Sequence, residues 1–218
     1  MAAGKRVYRS ALRAEQARRT RLAVLDAAGR CFVERGYART TMRDIAQAAG
    51  VAPQTVFAQG SKAALLLACV DRTLAGDDEA RPLMRRDEFR RLLEATDIGE
   101  KLQAFRSITV DYVPRTGPIM RAFASAAAVD DEIAAAWTEY GERRYADNRA
   151  LVESFAPWLR PGLDVDRAVD VFWAVFAHPT SDALVGGRGW DVEQYADWLV
   201  DALERLLLDR RGAATPAS

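Results

Sequence analysis

The stretch "TTMRDIAQAAGVAPQTVFAQGSK", Thr40–Lys62, decides the fold. Thr41 followed by Asp44 is a capping box, the reciprocal side-chain-to-backbone pairing that opens a helix. Met42, Ile45, Ala46 and Ala49 then recur at i, i+3, i+4 and i+7, one apolar stripe of an α-helix. Gly50 stands where a left-handed cap ends that helix. Pro53 suits the first position of the next, where no backbone N–H is needed. That next helix is hardly two turns long and polar, and Ser61 can cap a further one. A capped helix, a glycine turn and a second short helix make a helix-turn-helix. In that motif the second helix enters the major groove of DNA, so it needs one core contact and otherwise faces outward. Val56 can meet Ile45 inside, leaving Gln54, Thr55, Phe57 and Gln59 outside. Gln can pair with the N6/N7 edge of adenine, and Thr can offer its methyl to thymine.

Charge distribution agrees. The 218-residue chain carries 31 Lys+Arg and 31 Asp+Glu. Residues 1–62 hold 12 basic against 4 acidic, leaving 19 against 27 in the rest. A basic segment beside an acidic remainder points to nucleic-acid contact by the basic part. Lys62, Arg39, Arg43 and the arm residues Lys5, Arg6 and Arg9 are candidate phosphate contacts, which position without specifying.

Outward from this stretch, a basic arm is expected over residues 1–10 and a helix over about 11–35, with Leu22, Leu25 and Phe32 at helical spacing. Gly36 should cap it and bring Tyr37 onto Phe32. A helix runs from Ser61 to about Gly76, and "GDDEARP" reads as a loop. Helices are expected near 87–95 and 98–113, a break at "PRTGP" (Pro114–Pro118), then helices near 118–128, 131–156 and 165–177. "HPTSDALVGGRG" reads as a bent stretch and Asp191 caps a last helix through about Leu208. No run alternates with period two, so the fold class is all-α, with nine or ten helices. A chain of this size buries roughly 70 % of its unfolded surface and needs no disulfide staples. Cys31 and Cys69 lie in apolar helical runs, as buried free thiols do. The longest purely apolar run, Ala63–Val70, is far short of a membrane span, and a cytoplasmic location is expected.

The stretch "AVLDAAGRCFVERGYARTTMRDIAQAAGVAPQTVF" with the following "GSKAALL" resembles the tetracycline-repressor (TetR) family of bacterial transcription regulators. That resemblance implies a three-helix DNA-binding head, residues 1–62, and a larger helical ligand-binding and dimerisation domain, residues 63–218. It places Thr41 and Arg43 on phosphates, Pro53, Gln54, Thr55 and Phe57 on the reading surface, and Lys62 on a phosphate. Two departures stand out. Ala52 replaces the usual small hydroxyl residue, and the chain is one residue short before Gly60, so the aromatic usually found there is missing and the role of Gln59 is open.

The segment Leu184–Leu208 looks like the end of many members, where the last helices pair across a dimer. Tyr195, Leu199, Ala202, Leu203 and Leu206 form an apolar stripe there, either a subunit interface or a contact with the chain's own core. A dimer would present two reading helices to successive major grooves and read a near-palindromic double-stranded operator. The aromatics Phe105, Tyr112, Phe123, Trp137, Tyr140, Trp173 and Phe176 are candidate walls for a small, mainly apolar or aromatic effector. His178 reads as a residue satisfying carbonyls at a helix end.

The sequence shows no G-x-S-x-G, Walker loop, G-x-G-x-x-G, H-E-x-x-H or EF-hand loop. One histidine and two isolated cysteines do not make a usual zinc site. No metal, cofactor or catalytic residue is expected, and the reading is a homodimeric repressor released by its ligand. A TetR-like activator, a ligand-independent regulator, and a helical enzyme or carrier that keeps the DNA-binding shape stay open alternatives.

Overall fold

The computed structural model describes residues 2–75 and 87–209, and only the backbone of residues 2–11 and of Glu88. Ten α-helices follow in chain order: α1 Ala2–Arg35, α2 Met42–Ala49, α3 Pro53–Phe57, α4 Lys62–Ala75, α5 Asp87–Glu94, α6 Ile98–Ala127, α7 Asp131–Glu153, α8 Val165–Val175, α9 His178–Ser181 and α10 Val192–Leu207. A 3₁₀ turn, Ala156–Trp158, follows α7, and a π turn, Asp182–Gly187, follows α9. Among the described residues there is no strand, only one isolated bridge between Leu159 and Leu208. The all-α expectation holds. The expected "GDDEARP" loop lies outside the described residues. No described helix is long and apolar enough to cross a membrane.

The local signals around the turn act as their chemistry demands. The Thr41 hydroxyl accepts from the Asp44 N–H at 3.2 Å, and the Asp44 carboxylate accepts from the Thr41 N–H at 2.9 Å. The Thr41 hydroxyl also donates to the Asp44 carboxylate at 2.6 Å, and this bond, with the one from the Thr41 N–H, holds the Asp44 carboxyl below its usual range. Gly50 has φ +67°, and the Val51 N–H reaches the Ala46 carbonyl at 3.1 Å, closing the helix in a Schellman turn. Thr41→Ala should therefore cost about 1 kcal/mol of unfolding free energy. Urea denaturation checks it: an unchanged midpoint would mean that the box adds nothing to the folded state.

Three expectations need correction. The basic arm is not separate from the first helix, because the helical backbone of α1 already begins at Ala2. The break at Pro114–Pro118 does not occur either, since α6 runs through both prolines. An interior proline costs roughly 3 kcal/mol, and each fully buried large side chain returns about 1.5–3 kcal/mol. Tyr112, Ile119, Met120 and Phe123 are all buried around the proline segment, which outweighs the two lost hydrogen bonds. Pro114 itself is exposed. Thr109 and Thr116 donate to the Phe105 and Tyr112 carbonyls four residues back, at 2.9 and 2.8 Å.

The third correction concerns α10. Tyr195, Leu199, Ala202 and Leu203, candidates for a subunit interface, are buried inside this single chain, and only Leu206 of the five is exposed, at 46 %. Their stripe packs against α6 and α8. A helical apolar stripe records that a partner exists and leaves open whether that partner is the same chain.

Two apolar cores share α6. One gathers Val24, Phe32, Ile45, Val56 and Leu66 with Ile119, Met120 and Phe123 of α6 and Ile133 and Tyr140 of α7. The other gathers Leu102 and Phe105 of α6 with Leu151, Phe172, Tyr195 and Leu199. The first core thus joins the helix-turn-helix to the larger part of the chain without a packing gap at Lys62. In the second region, Lys101 is 1 % exposed and donates to the carbonyls of Leu92 and Leu93 at 2.7 and 2.9 Å, closing the last turn of α5. Burial pulls its pKa below the ordinary lysine value.

Candidate nucleic-acid interface

A helix of five residues cannot sustain itself, because nucleation is costly and propagation short. α3 is held instead by one anchor: Val56 is 0 % exposed, in the same core as Ile45, also 0 %. Ala52 offers no side-chain cap to α3, so the helix begins on Pro53 alone. Pro53 and Gln54 are exposed, Thr55 is half-buried and Phe57 is 60 % exposed. A large aromatic left in water beside a fully buried valine is the reverse of what a self-sufficient helix would show. Thr41 and Arg43, at the start of α2, are exposed as well.

Gln59 is committed differently. It lies in the tight turn after α3, where its N–H reaches the Val56 carbonyl at 2.9 Å, and its side-chain oxygen accepts from Arg21 Nη1 at 3.3 Å. The connection before Gly60 therefore ties the end of α3 to α1. Gly60 takes φ +132°, a conformation closed to most side chains, and a Cβ there would sit 3.2 Å from that of Ala64. Ser61 caps α4 by accepting from the Ala64 N–H at 3.0 Å.

Lys62 is half-buried and turned towards Tyr37. Its ammonium lies 4.1 Å from the centre of the Tyr37 ring and donates to the Tyr37 carbonyl at 3.1 Å. Tyr37 also packs on Phe32, with ring centres 5.8 Å apart, and its hydroxyl donates to Asp130 at 2.6 Å. That bond holds the Asp130 carboxyl below its usual range, while burial and Asp130 together push the Tyr37 hydroxyl up. Asp130 also caps α7. Tyr37 and Asp130 thus connect the base of the helix-turn-helix to α7. Sequence reasoning gives Tyr37 only its contact with Phe32, because nothing local records a partner 93 positions away. Of the other basic candidates, Arg39 donates to the Arg35 carbonyl at 2.8 Å, and the side chains of Lys5, Arg6 and Arg9 lie outside the described residues.

The candidate wall aromatics of the body come together in two groups, and Trp190, Tyr195 and Trp198 pack as a third. Phe123, Trp137 and Tyr140 pack edge-on or tilted at 5.0–6.1 Å. His178, at the start of α9, stacks on Tyr112 at 6.3 Å and gives Nε2 to the Tyr140 hydroxyl at 2.9 Å rather than to a helix-end carbonyl. Phe105 packs with Phe172 and Phe176, and Trp173 packs with Tyr145 beneath the Arg144 guanidinium, 4.6 Å from the ring. Arg144 also donates to the Phe176 carbonyl. Burial, reinforced by Arg144, pulls the His178 pKa down to about 4.

A short anchored helix with an exposed polar and aromatic face, behind a capped helix and a glycine turn, defines a DNA-binding regulator of the helix-turn-helix class. Residues 24–69 match the model for bacterial regulatory proteins of the tetR family. The chain is 29 % identical over 216 residues to the probable HTH-type transcriptional regulator ArpR of Pseudomonas putida, covering 87 % of this chain and 93 % of that protein. It is 38 % identical over 80 residues to the HTH-type transcriptional regulator TtgR, also of Pseudomonas putida. That second match covers 32 % of this chain and only 38 % of TtgR. Among solved structures, a putative transcriptional regulator from Saccharomonospora viridis in complex with choline superposes with a TM-score of 0.68 at 19 % identity, over 87 % of this chain and 98 % of that one. This likeness shows the fold alone.

Proposed function

We propose that the chain is a cytoplasmic, homodimeric repressor that reads a near-palindromic operator and is released by a small, mainly apolar or aromatic effector. The observation that carries the DNA reading is the exposed face of Pro53, Gln54 and Phe57 on a helix pinned by Val56. In this reading residues 1–62 are the head and residues 63–218 the effector and dimer domain. Gln54 and Thr55 read base edges, Pro53 and Phe57 make apolar contact, and Thr41, Arg43 and Gln59 position the backbone. Lys62 joins them through the N–H groups it does not give to Tyr37. The dimer is carried by α8 and α10, where Ala174 and Leu206 remain exposed. The effector acts between α6, α7 and α8 by parting the packed aromatic side chains. It favours a dimer geometry mismatched to the groove spacing, with a coupling of roughly 1–3 kcal/mol. No catalytic step is part of this reading.

Selection of bound sites from fragments of the source genome, followed by titration of the winning duplex, tests it. Affinity should fall steeply with salt, with a log–log slope of about −0.9 per phosphate neutralised. Gln54→Ala should weaken the selected site by roughly 1–3 kcal/mol per half-site while leaving random DNA binding almost unchanged. Failure to select any site, or an affinity flat with salt, would sink the proposal.

A further inference from the structure

An open groove of about 680 Å³ runs between α1, α4 and α6, away from the reading face and apart from the aromatic groups of the body. Its volume falls in the range of small-molecule sites. Leu25 and Ile119 form an apolar floor, and Val33 adds a side chain 44 % exposed to solvent. The Cys69 thiol is already used, donating to the Leu25 carbonyl at 3.4 Å, so the groove offers no free nucleophile there.

The polar groups are unevenly matched. Arg30, Arg72 and Arg115 line the groove against Asp26 and Glu34. Asp26 is held by Arg72 at 2.8 Å. Arg115 meets Asp111 only at 3.7 Å through Nη2, and its buried Nε–H has no hydrogen-bond partner. A buried donor without an acceptor is costly. Nε is closed to solvent while the side chain as a whole is 28 % exposed, so an acid entering the groove meets the outer Nη–H groups, which also match a carboxylate in a bidentate pair.

We propose that this groove binds a small organic carboxylate with an apolar body, its acid group on Arg115 and its hydrocarbon or ring on Leu25, Val33 and Ile119. The site is independent of the operator reading, since it needs only the free chain. Because its walls come from α1 on one side and α6 on the other, an occupant bridges the helix-turn-helix to the body.

The test uses 1-naphthoate and its neutral analogue 1-naphthamide, titrated by calorimetry into the full chain without DNA. Naphthoate should bind saturably, one per chain, and the amide roughly tenfold or more weaker. Arg115→Gln should lower naphthoate affinity by a similar factor, and Val33→Trp should block the groove without removing charge. Arg205→Gln, the same charge change at an exposed position on α10, should leave binding as in the parent. Thermal melting identifies any variant that fails to fold. Undiminished binding in Val33→Trp or Arg115→Gln, equal binding of acid and amide, or no saturable heat would each overturn the assignment.

Discussion

Phe123→Ala should lower the unfolding free energy by roughly 3–5 kcal/mol, the usual cost of removing a buried phenyl group together with the cavity left behind. Phe123 is 2 % exposed and occupies the seam where the helix-turn-helix core meets α6 and α7. Its edge-on contact with Trp137 at 5.0 Å and its contact with Tyr140 at 6.1 Å leave with it. Such aromatic pairs add about 0.5–1.5 kcal/mol beyond area burial. Against a total stability of about 5–15 kcal/mol, the loss is a large fraction. For a chain of this size it corresponds to a melting temperature lower by roughly 6–20 °C. The experiment also separates two roles for the same residue. A side chain that only packs gives the full penalty. A side chain that lines a space meant for an effector faces fewer neighbours, so its removal costs about 1 kcal/mol or less and shifts effector affinity instead. Urea denaturation of the parent and of Phe123→Ala reads the difference directly.

The same distinction explains which parts of the molecule were legible in the sequence. The helix-turn-helix is written in local chemistry. A threonine with an aspartate three residues on, a glycine with positive φ, a proline at a first helical position and a serine before α4 each act within a turn of where they stand. Their reading needs no knowledge of the rest of the chain. The exposure of Gln54 and Phe57 follows from the same stretch, because a five-residue helix has one inward position and Val56 takes it.

The body is written in tertiary contacts, and there local rules fail in identifiable ways. Two prolines four residues apart argue for a break, yet the buried side chains around them on α6 favour continuity. The stripe on α10 was legible as apolar and ambiguous as to partner, and four of its five residues are buried against their own chain. Lys101 looks like an ordinary helix-surface lysine, and only the approach of α5 makes it a buried cap for two carbonyls. Lys62 was legible as a cation at the start of α4. Its embrace of Tyr37 was not, since it depends on the turn after α1 being folded back beneath it. At the candidate site, therefore, composition and exposure were readable in advance, whereas the connection through Tyr37 and Asp130 to α7 emerged only from the three-dimensional arrangement.

Stability should fall as the pH is lowered from about 6.5 towards 4, and His178 should account for a component on the order of 3 kcal/mol. The imidazole is enclosed by Tyr112 and Tyr140, and the Arg144 guanidinium opposes a second positive charge nearby. Its pKa is pulled from the ordinary 6.5 to about 4 in the folded chain. Above 6.5 the ring is neutral in both folded and unfolded states and the contribution is complete. Between 6.5 and 4 the unfolded chain takes up a proton that the folded chain refuses, so unfolding becomes more favourable with each step down in pH. Below about 4 both states are protonated and the component is lost. Burial acts in the opposite direction on Asp71 and Asp147, whose carboxyls it raises, so the pH profile of one protein mixes several groups. Comparison with His178→Asn isolates the histidine, because the amide can still meet the Tyr140 hydroxyl and does not titrate. At about pH 7 the parent should be the more stable of the two. Its advantage should shrink progressively towards about pH 4 and there reach zero or reverse. A difference between the two proteins that stays constant across that range would mean that the ring is as easily protonated inside the fold as outside it.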